Sequence, residues 1–389
     1  MLKTRLTWII VLLLDATSEC DISSVIFMKI NVLHMTGQTS IEGRPIGRFT
    51  GQCVEDYESE ARRKLDPAAL RYIDRGTESE STLRRNVSAY SSYLIRRRVL
   101  HGVTSVDLRT SFFDGKITSE TPFFPAPVNL APLLQDALLY ELKLMQSFSF
   151  PLFISHLSIV PPMEVTSVPS LVKKKKEGAS LIWQIYVEKS NYDLIFKQAE
   201  RAKSWGYSAL TLTVDAELSV KLGNDVQTAL TKSDFVGINP RALKKLRKAT
   251  TLPLIVKGVM TSEDAELAIE CGADGVVISN HGGRTLDQGQ STLEVLPEIV
   301  KHLKQSKKTR SAEIFLDGGI RRGTDILKAL ALGANGCLIG RPILWSIGVD
   351  PENGPSKVIS ILRSELERAA TLAGVSKISK IKKDVVVRA

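Results

Sequence analysis

The stretch LPLIVKGVMTSEDAELAIECGADGVVISNHGGRTLD, residues 252–287, contains one complete unit of strand, helix and strand. Its two apolar runs, LPLIV and GVVIS, are typical of parallel strands that are buried on both faces. Between them, Thr261 and Asp264 form the pattern of a capping box, and Gly272 follows the helical segment as a stop signal. This stretch therefore predicts a parallel sheet whose strands are connected by helices.

The same alternation recurs along the chain. The candidate strands are 122–128, 151–156, 181–187, 209–215, 252–258, 275–280, 313–318 and 336–340. Their spacing averages about 30 residues, which is the length of one strand and helix unit. We therefore predict an α/β fold, a (β/α)8 TIM barrel over about residues 120–345. An open sheet with the same periodicity is the alternative.

Helical patterns flank the predicted barrel on both sides. Residues 58–73 and 82–95 have the apolar spacing of amphipathic helices and predict an N-terminal helical cap over one mouth of the barrel. Residues 358–373, followed by Gly374, predict a final helix.

The composition limits the classes of function. The chain has 389 residues, of which 43% are hydrophobic and 24% charged, as in globular proteins. The net charge of +10 is accompanied by only 6% aromatic residues, and no stacking motif lies among the basic residues, so we expect no nucleic-acid partner. Four cysteines without metal or redox spacing favour a reduced intracellular setting, in the cytoplasm or an organelle, and no metal site.

Residues 1–49 form an N-terminal extension whose role the sequence leaves open. Lys3 and Arg5 precede an apolar stretch, 6–14, which resembles part of a secretory signal but is too short to span a bilayer. The alternatives are a targeting segment, an extension with no role in the fold and an error in the gene model. We expect residues 50–389 to form one domain.

Polar residues stand where the predicted strands end. In β/α barrels the active site lies at the C-terminal rim of the strands. These rim residues are Gln184 and Tyr186 on the third strand, Thr213 and Asp215 on the fourth, Lys257 on the fifth, and Ser279, Asn280 and His281 on the sixth.

The last two strands are followed by glycine turns that contain arginine, DGGIRRG at 317–323 and IGRP at 339–342. Barrels commonly bind phosphate between these two loops, because glycines let backbone N–H groups approach it and arginine adds charge. The alternative is a pair of plain tight turns. We expect the turns to bind the phosphate of a cofactor.

The segment SNHGGRTLD contains the strongest catalytic candidates. His281 is suited to act as a general base near neutral pH, and Arg284 can bind a carboxylate through two hydrogen bonds. Asp215, two strands away, can orient the imidazole; alternatively it caps a helix. Lys257 follows an apolar run and can stabilise an anion that forms during reaction, unless it is a surface lysine. A purely structural histidine is the alternative for His281.

Together, these residues resemble the FMN-dependent 2-hydroxy acid dehydrogenase and oxidase family, which includes glycolate oxidase and the flavin L-lactate dehydrogenases of fungi. The resemblance extends from about residue 56 to the C-terminus. It is strongest in 252–287 and in IFLDGGIRRGTDILKALALGANGCLIGRP, residues 314–342. The segment RYIDRGTESESTLRRNVSAY, residues 71–90, resembles the family's N-terminal cap.

The resemblance implies a role for each matching position. His281 would remove a proton from the substrate while Asp215 holds it, Arg284 would bind the substrate carboxylate, and Tyr72 and Tyr186 would contact the substrate. Lys257 would lie beside the flavin pyrimidine edge. The implied FMN contacts are Pro127, Val128, Asn129, Ser158, Gln184, Thr213, Lys257, Ser279, Asp317, Gly318, Gly319, Arg321, Gly340 and Arg341.

The sequence departs from the family after Asp215. A second substrate-binding arginine is usual there, but this chain reads ELSVKLGND, and the position of that arginine falls on Leu222, beside Lys221. A lysine cannot reproduce a two-point guanidinium contact. The loop between Asp215 and Lys257 is also shorter than the family's, so part of the lid is missing.

Our first hypothesis is FMN-dependent oxidation of a small L-2-hydroxy acid, lactate- or glycolate-like, to the 2-keto acid. The second is a flavin-binding protein with impaired or altered catalysis. A third, another flavin or phosphate-substrate reaction such as isomerisation, fits the pair of His281 and Arg284 less well. The expected electron acceptor is oxygen, a cytochrome or a quinone. A homo-oligomer is possible.

Overall fold

The computed structural model describes residues 49–128, 149–155, 180–188, 193–216, 237–307, 309 and 311–389. Its centre is a sheet of eight parallel strands. The strands are β4 (Phe123–Pro125), β5 (Leu152–Ser155), β6 (Leu181–Tyr186), β7 (Ala209–Thr213), β8 (Leu254–Val259), β9 (Gly275–Ile278), β10 (Glu313–Leu316) and β11 (Gly336–Ile339). All eight predicted strands are therefore confirmed.

The sheet curves into a nearly closed barrel. Its spatial order is β4, β11, β10, β9, β8, β7, β6, β5, so the first two strands of the chain lie at its two ends. Those ends meet through the stacked rings of Phe124 and Phe153, whose centroids are 5.7 Å apart. Both rings are fully buried, as the interior of a small barrel requires. The fold is the predicted TIM barrel, and the open sheet is wrong.

Helices surround the barrel. They are α4 (Leu194–Trp205), α5 (Pro240–Ala249), α6 (Ser262–Glu270), α7 (Thr292–Gln305), α8 (Gly323–Leu332), α9 (Arg341–Val349) and α10 (Gly354–Leu372). The Thr261 hydroxyl accepts a hydrogen bond from the backbone N–H of Asp264, as the capping pattern predicts. Gly272, Gly333 and Gly374 follow their helices with positive φ, where glycine is favoured. No helix in the described ranges is long and apolar enough to cross a membrane.

The predicted N-terminal cap is present, but its elements are shorter than expected. The pattern over 58–73 is two helices, α1 (Val54–Lys64) and α2 (Pro67–Asp74). They separate because Asp66 caps α2 and the ring of Pro67 begins it. The pattern over 82–95 is also wrong as a single helix, since α3 (Ser81–Ser88) is followed by a 3₁₀ turn (Ala89–Ser92).

The strand after that turn explains the second difference. Strand β1 (Tyr93–Ile95) pairs in antiparallel fashion with β12 (Val386–Arg388) near the C-terminus of the chain. Two short 3₁₀ turns, Ile378–Lys380 and Lys383–Val385, precede β12. A partner from so far along the chain draws these residues out of the helix that their local pattern favours.

The two mouths of the barrel are covered differently. A hairpin of β2 (Thr110–Phe112) and β3 (Ile117–Ser119) lies at the N-terminal mouth, where the backbone N–H of Phe113 donates to Oε1 of Glu313 at 2.9 Å. The cap lies at the C-terminal mouth. There the backbone N–H of Thr77 donates to the carbonyl oxygen of Gly283 at 2.9 Å.

Candidate active site

His281 and Asp215 form a dyad at the C-terminal rim. Nδ1 of His281 lies 3.0 Å from Oδ1 of Asp215. Burial raises the pKa of Asp215, but His281 and Lys257 lower it by more, so its pKa is below the ordinary range. The carboxylate is therefore charged at neutral pH. It can fix the ring orientation and stabilise the imidazolium, which leaves Nε2 of the ring for a ligand proton.

The backbone around His281 is strained. His281 has φ +54°, and Gly282 and Gly283 continue the left-handed run at +67° and +78°. This conformation costs a residue other than glycine about 1–2 kcal/mol. The backbone N–H of His281 donates to Oγ of Ser279 at 3.2 Å, and that of Gly283 donates to Oδ1 of Asn280 at 3.0 Å. Strain of this kind is typical of functional residues that surrounding contacts hold in place.

Lys257 lies inside the rim, only 3% exposed, so the alternative of a surface lysine is wrong. Its Nζ donates to Oγ of Ser279 at 3.0 Å and lies 3.3 Å from Oδ2 of Asp317. Burial by itself lowers the pKa of Lys257, but Asp317 and Asp215 raise it by more. The site therefore contains a fixed positive charge.

Gln184, Tyr186 and Thr213 form a second polar group on β6 and β7. Nε2 of Gln184 donates to Oγ1 of Thr213 at 2.5 Å and to the Tyr186 hydroxyl at 3.3 Å. Burial raises the pKa of Tyr186 to about 12, although the nearby Lys257 lowers it. The phenol is therefore neutral near pH 7 and can donate a hydrogen bond.

Arg284 joins the rim to the cap. Its Nη1 donates to the backbone carbonyl of Tyr72 at 2.6 Å, and its guanidinium carbon lies 5.2 Å from the centre of the Tyr72 ring. Burial lowers the pKa of Arg284, and Tyr72 and Tyr186 oppose that change. The structure thus brings five of the six predicted catalytic residues to one rim and places the sixth, Tyr72, on the cap against Arg284.

Some predicted positions lie outside the described residues. These are Asn129 and Ser158 among the implied FMN contacts, and Lys221 and Leu222 in the shortened loop. Pro127 and Val128 follow β4 directly, at the same end of the strands as the dyad.

Sequence reasoning missed the polar contacts that hold the cap against the rim. Oδ2 of Asp287 accepts from the Ser79 hydroxyl at 2.5 Å, and its Oδ1 accepts from the Ser81 hydroxyl at 2.9 Å and from the backbone N–H of Thr82 at 2.8 Å. These donors lower the pKa of Asp287. The adjacent cap sequence is rich in serine, but nothing local shows that Asp287 is their partner.

Three further contacts were also missed. The side-chain amides of Asn86 and Asn280 exchange hydrogen bonds, at 2.8 Å and 2.9 Å. The Tyr90 hydroxyl donates to the backbone carbonyl of Gly318 at 3.0 Å. The sequence identifies Asn280 as the end of a strand but gives no sign of its partner.

Comparison with known proteins places this site in a family. The sequence profile of the family described as FMN-dependent dehydrogenase matches residues 61–237 and 232–388. The 2-hydroxyacid oxidase of Dictyostelium discoideum is 36% identical over 361 residues, which cover 86% of this chain and 89% of that protein. The chain belongs to the FMN-dependent dehydrogenase family.

Other members agree in sequence and structure. Spinach (Spinacia oleracea) glycolate oxidase is 32% identical over 84% of this chain and 93% of its own length. The flavin-binding domain of baker's yeast flavocytochrome b2 superposes with a TM-score of 0.77 at 31% identity, covering 86% of each chain. The two segments of the profile match overlap at residues 232–237, within the connection between β7 and β8.

FMN is the cofactor of this family, and the arginines at the rim fit its phosphate. Burial lowers the pKa of both Arg321 and Arg341, and Arg321 and Arg284 lower that of Arg341 further. A cluster of desolvated cations is unfavourable in free energy until an anion binds between them. A phosphate group would relieve this repulsion.

Each of these arginines is already oriented by the protein. The guanidinium carbon of Arg321 lies 4.8 Å from the centre of the Trp345 ring. Arg341 donates to the backbone carbonyls of Ile73 at 2.9 Å, Gly282 at 3.0 Å and Arg75 at 3.1 Å. These contacts fix the direction of each guanidinium and join Arg341 to both the cap and the His281 turn.

Glycine occupies the positions in the two turns for different structural reasons. A Cβ at Gly340 would meet no atom within 4 Å among the described residues, so open space suited to a ligand lies beside this strand end. A Cβ at Gly319 would instead collide with the backbone of Asn86, and one at Gly318 would lie 2.8 Å from Oγ1 of Thr292. Close packing against the cap and α7 is thus sufficient to explain why glycine is needed at the positions of Gly318 and Gly319.

Two buried hydrogen-bond acceptors also fit a bound cofactor that carries N–H or O–H donors. Oε1 of Gln184 and Oδ1 of Asp317 have no hydrogen-bond partner within the described part of the chain. A buried acceptor without a partner is costly, and a bound group with N–H or O–H donors removes that cost. The residues present therefore fit FMN.

Proposed function

We propose that this protein oxidises a small L-2-hydroxy acid, lactate- or glycolate-like, to the 2-keto acid. The observation that carries the proposal is the His281–Asp215 dyad, with Nδ1 and Oδ1 3.0 Å apart, on the same rim as Arg284. A base beside a carboxylate-binding cation suits an alcohol next to a carboxylate.

The reaction removes two electrons and two protons from the substrate. FMN, when bound, would accept the two electrons and one of the two protons. His281 takes the other proton at Nε2, and the charged Asp215 stabilises the imidazolium that forms. The hydrogen bond at 3.0 Å keeps Asp215 beside the ring and its low pKa keeps it ionised, so the dyad holds the positive charge without passing the proton on.

Substrate orientation falls to the residues between the rim and the cap. Arg284 would bind the substrate carboxylate, because its guanidinium is desolvated and is held by the carbonyl of Tyr72. The hydroxyls of Tyr72 and Tyr186 would hydrogen-bond the substrate. Lys257 places a buried positive charge at the same rim, where it stabilises negative charge that develops during the reaction.

Anaerobic absorbance spectra test the proposal directly. The holoenzyme is mixed with glycolate, L-lactate, larger L-2-hydroxy acids and D-lactate. We expect bleaching of the flavin absorbance by a small L-acid and none by D-lactate. An unchanged spectrum across the whole panel contradicts the proposal. Reoxidation by oxygen, cytochrome c or a quinone analogue then identifies the electron acceptor.

A second candidate is a flavin-binding protein with weakened catalysis. The observation that favours it is Leu222, which stands where the family usually has a second substrate-binding arginine. Under this candidate, Leu222→Arg raises kcat/KM by roughly ten- to hundredfold, because a charge-assisted hydrogen bond contributes about 1.5–3 kcal/mol. Leu222→Gln, similar in size but uncharged, is the control. An unchanged kcat/KM for Leu222→Arg contradicts this candidate.

A further inference from the structure

We infer that Asn86, on the cap helix α3, is a positioning residue that holds the His281 turn in its left-handed conformation. The inference rests on the proposed function of His281 and adds a second element to it. The contact that carries it is the reciprocal pair of side-chain amides formed by Asn86 and Asn280.

Both side chains of the pair are buried, and each amide both donates to and accepts from the other. Nδ2 of Asn86 donates to Oδ1 of Asn280 at 2.8 Å, and Nδ2 of Asn280 donates to Oδ1 of Asn86 at 2.9 Å. Asn86 is 1% exposed and Asn280 6% exposed. A reciprocal amide pair satisfies a donor and an acceptor on each side at once, so neither side chain can rotate without leaving buried polar atoms unpaired.

Asn280 passes this constraint to the turn. Its Oδ1 also accepts from the backbone N–H of Gly283 at 3.0 Å, which closes the loop around His281 and Gly282. Its backbone carbonyl accepts from the Thr285 hydroxyl at 3.4 Å. The side chain of Asn280 therefore spans the three residues whose φ values are positive.

The cap also contacts the turn directly, at a second point. Thr77, which precedes α3, donates its backbone N–H to the carbonyl of Gly283, so the cap contacts the turn at both ends of the loop. The amide of Asn86 additionally accepts from the backbone N–H of Thr292 at 3.4 Å, at the start of α7. Asn86 thus joins the turn to two elements that are themselves packed on the barrel.

Without the pair of Asn86 and Asn280, fewer contacts restrain the strained backbone of His281. The backbone bonds remain, from the N–H of His281 to Oγ of Ser279 and from the N–H of Gly283 to the carbonyl oxygen of Asn280 at 3.0 Å, but the Asn280 side chain no longer has a fixed position from which to support the turn after His281. The imidazole then samples positions in which it still contacts Asp215 but is no longer aligned with the substrate. Misplacement of a catalytic group by about 1 Å can lower a rate by about a hundredfold.

Amide hydrogen exchange of the FMN-loaded protein tests the inference without relying on turnover. The variants are Asn86→Asp, which turns one donor into an acceptor, and Asn86→Ala, which removes the pairing atoms without adding charge and serves where the first does not fold. Arg85→Gln is the matched control, because Arg85 lies on the same helix but binds Glu294 at the surface, at 2.8 Å.

We expect exchange in a peptide covering 280–285 to become faster by about tenfold or more in the Asn86 variants, since the side chain of Asn280 that supports this turn loses its buried partner, and to be unchanged in Arg85→Gln. In the same variants, the limiting rate of flavin reduction by substrate should fall by about ten- to hundredfold with little change in KM. Unchanged exchange over 280–285 overturns the inference. Equal acceleration across 77–92 and 280–285 also overturns it, because that result describes a loosened cap.

The two arms of the experiment separate this inference from the proposed function. If wild-type protein shows no flavin reduction with any acid, the proposed function fails. Faster exchange over 280–285 alone still supports a positioning role for Asn86 in that case.

Discussion

Nδ1 of His281 and Oδ1 of Asp215 lie 3.0 Å apart even though strand β8 stands between the strands that carry them. Gly258 on β8 makes this contact compatible with the barrel. Its φ is +113°, the ladder between β8 and β9 is irregular there, and a Cβ would lie 2.7 Å from Cβ and Cγ of Asp215. The dyad therefore depends on a glycine at one position of the intervening strand.

Replacing His281 with glutamine should abolish flavin reduction by substrate while FMN stays bound. Glutamine keeps polar atoms at this position but cannot act as a base near neutral pH. Anaerobic stopped-flow absorbance measures the reduction, and the ratio of absorbance at the flavin and protein maxima measures bound FMN.

His302→Gln is the matched control, because His302 lies on α7 and pairs with Glu266 at 2.9 Å, away from the rim. We expect its reduction rate to equal that of the wild type. Equal rates in wild type and His281→Gln would rule out the role assigned to His281.

Asp215 predicts a pH dependence of stability. Its pKa in the folded protein is lowered because the attraction of His281 and Lys257 exceeds the effect of burial. The stability that its charge contributes is therefore fully present above the unfolded Asp value of about 3.9 and is lost as the pH falls through the lower native pKa. Asp215→Asn should be less stable at neutral pH and should lose less stability on acidification.

Denaturant unfolding of both proteins over a pH series measures this difference. In addition, Asp215→Asn should reduce flavin more slowly by roughly a hundredfold, because the imidazolium loses its stabilising charge. Parallel stability curves for wild type and variant would contradict the direction assigned to the pKa of Asp215.

Much of this architecture could be predicted because its signals are local. Buried strands such as 275–278 appear as continuous apolar runs, and caps such as Thr261 or stops such as Gly272 lie within a few residues of the helix end that they define. The chemistry of the rim follows from the strand ends in the same way. The break between α1 and α2 also had a local signal, Asp66 followed by Pro67, which the helical periodicity outweighed.

The contacts that shape the site are not local. Asn86 and Asn280 are 194 residues apart in sequence, and an asparagine in a helix gives no sign of its partner. Strand β1 forms only because Tyr93 meets Arg388. For the same reason, the sequence around Gly318 and Gly319 predicts a phosphate turn, whereas the packing of these glycines against Thr292 and Asn86 is seen only in three dimensions.

Lys257→Met should strongly destabilise the protein. Nζ of Lys257 lies 3.3 Å from Oδ2 of Asp317, and both side chains are almost fully buried. Removing one member of a buried ion pair leaves an uncompensated charge and costs about 3–5 kcal/mol in the free energy of unfolding. Urea unfolding of the FMN-free protein measures the change.

The double variant Lys257→Met with Asp317→Asn is the control for this interpretation. We expect it to be more stable than Lys257→Met alone, because the uncompensated carboxylate is gone. A double variant that is as unstable as the single variant would show that lost packing of the lysine, rather than its charge, is responsible.

Arg321 and Arg322 are neighbours in sequence, but only Arg321 should affect FMN affinity. Arg321 lies over Trp345 and has its pKa lowered by burial, whereas Nη2 of Arg322 lies 2.7 Å from Oε1 of Glu365. Arg321→Lys should raise the Kd for FMN by roughly ten- to hundredfold, because a charge-assisted contact contributes about 1.5–3 kcal/mol and lysine does not reproduce a planar guanidinium. Arg322→Lys should change the Kd by no more than about a factor of two, since the guanidinium of Arg322 is paired with Glu365 and Glu55. Titration of FMN-free protein with FMN, followed by flavin fluorescence, gives both constants. Equal weakening in the two variants would mean that the phosphate is not bound beside Arg321.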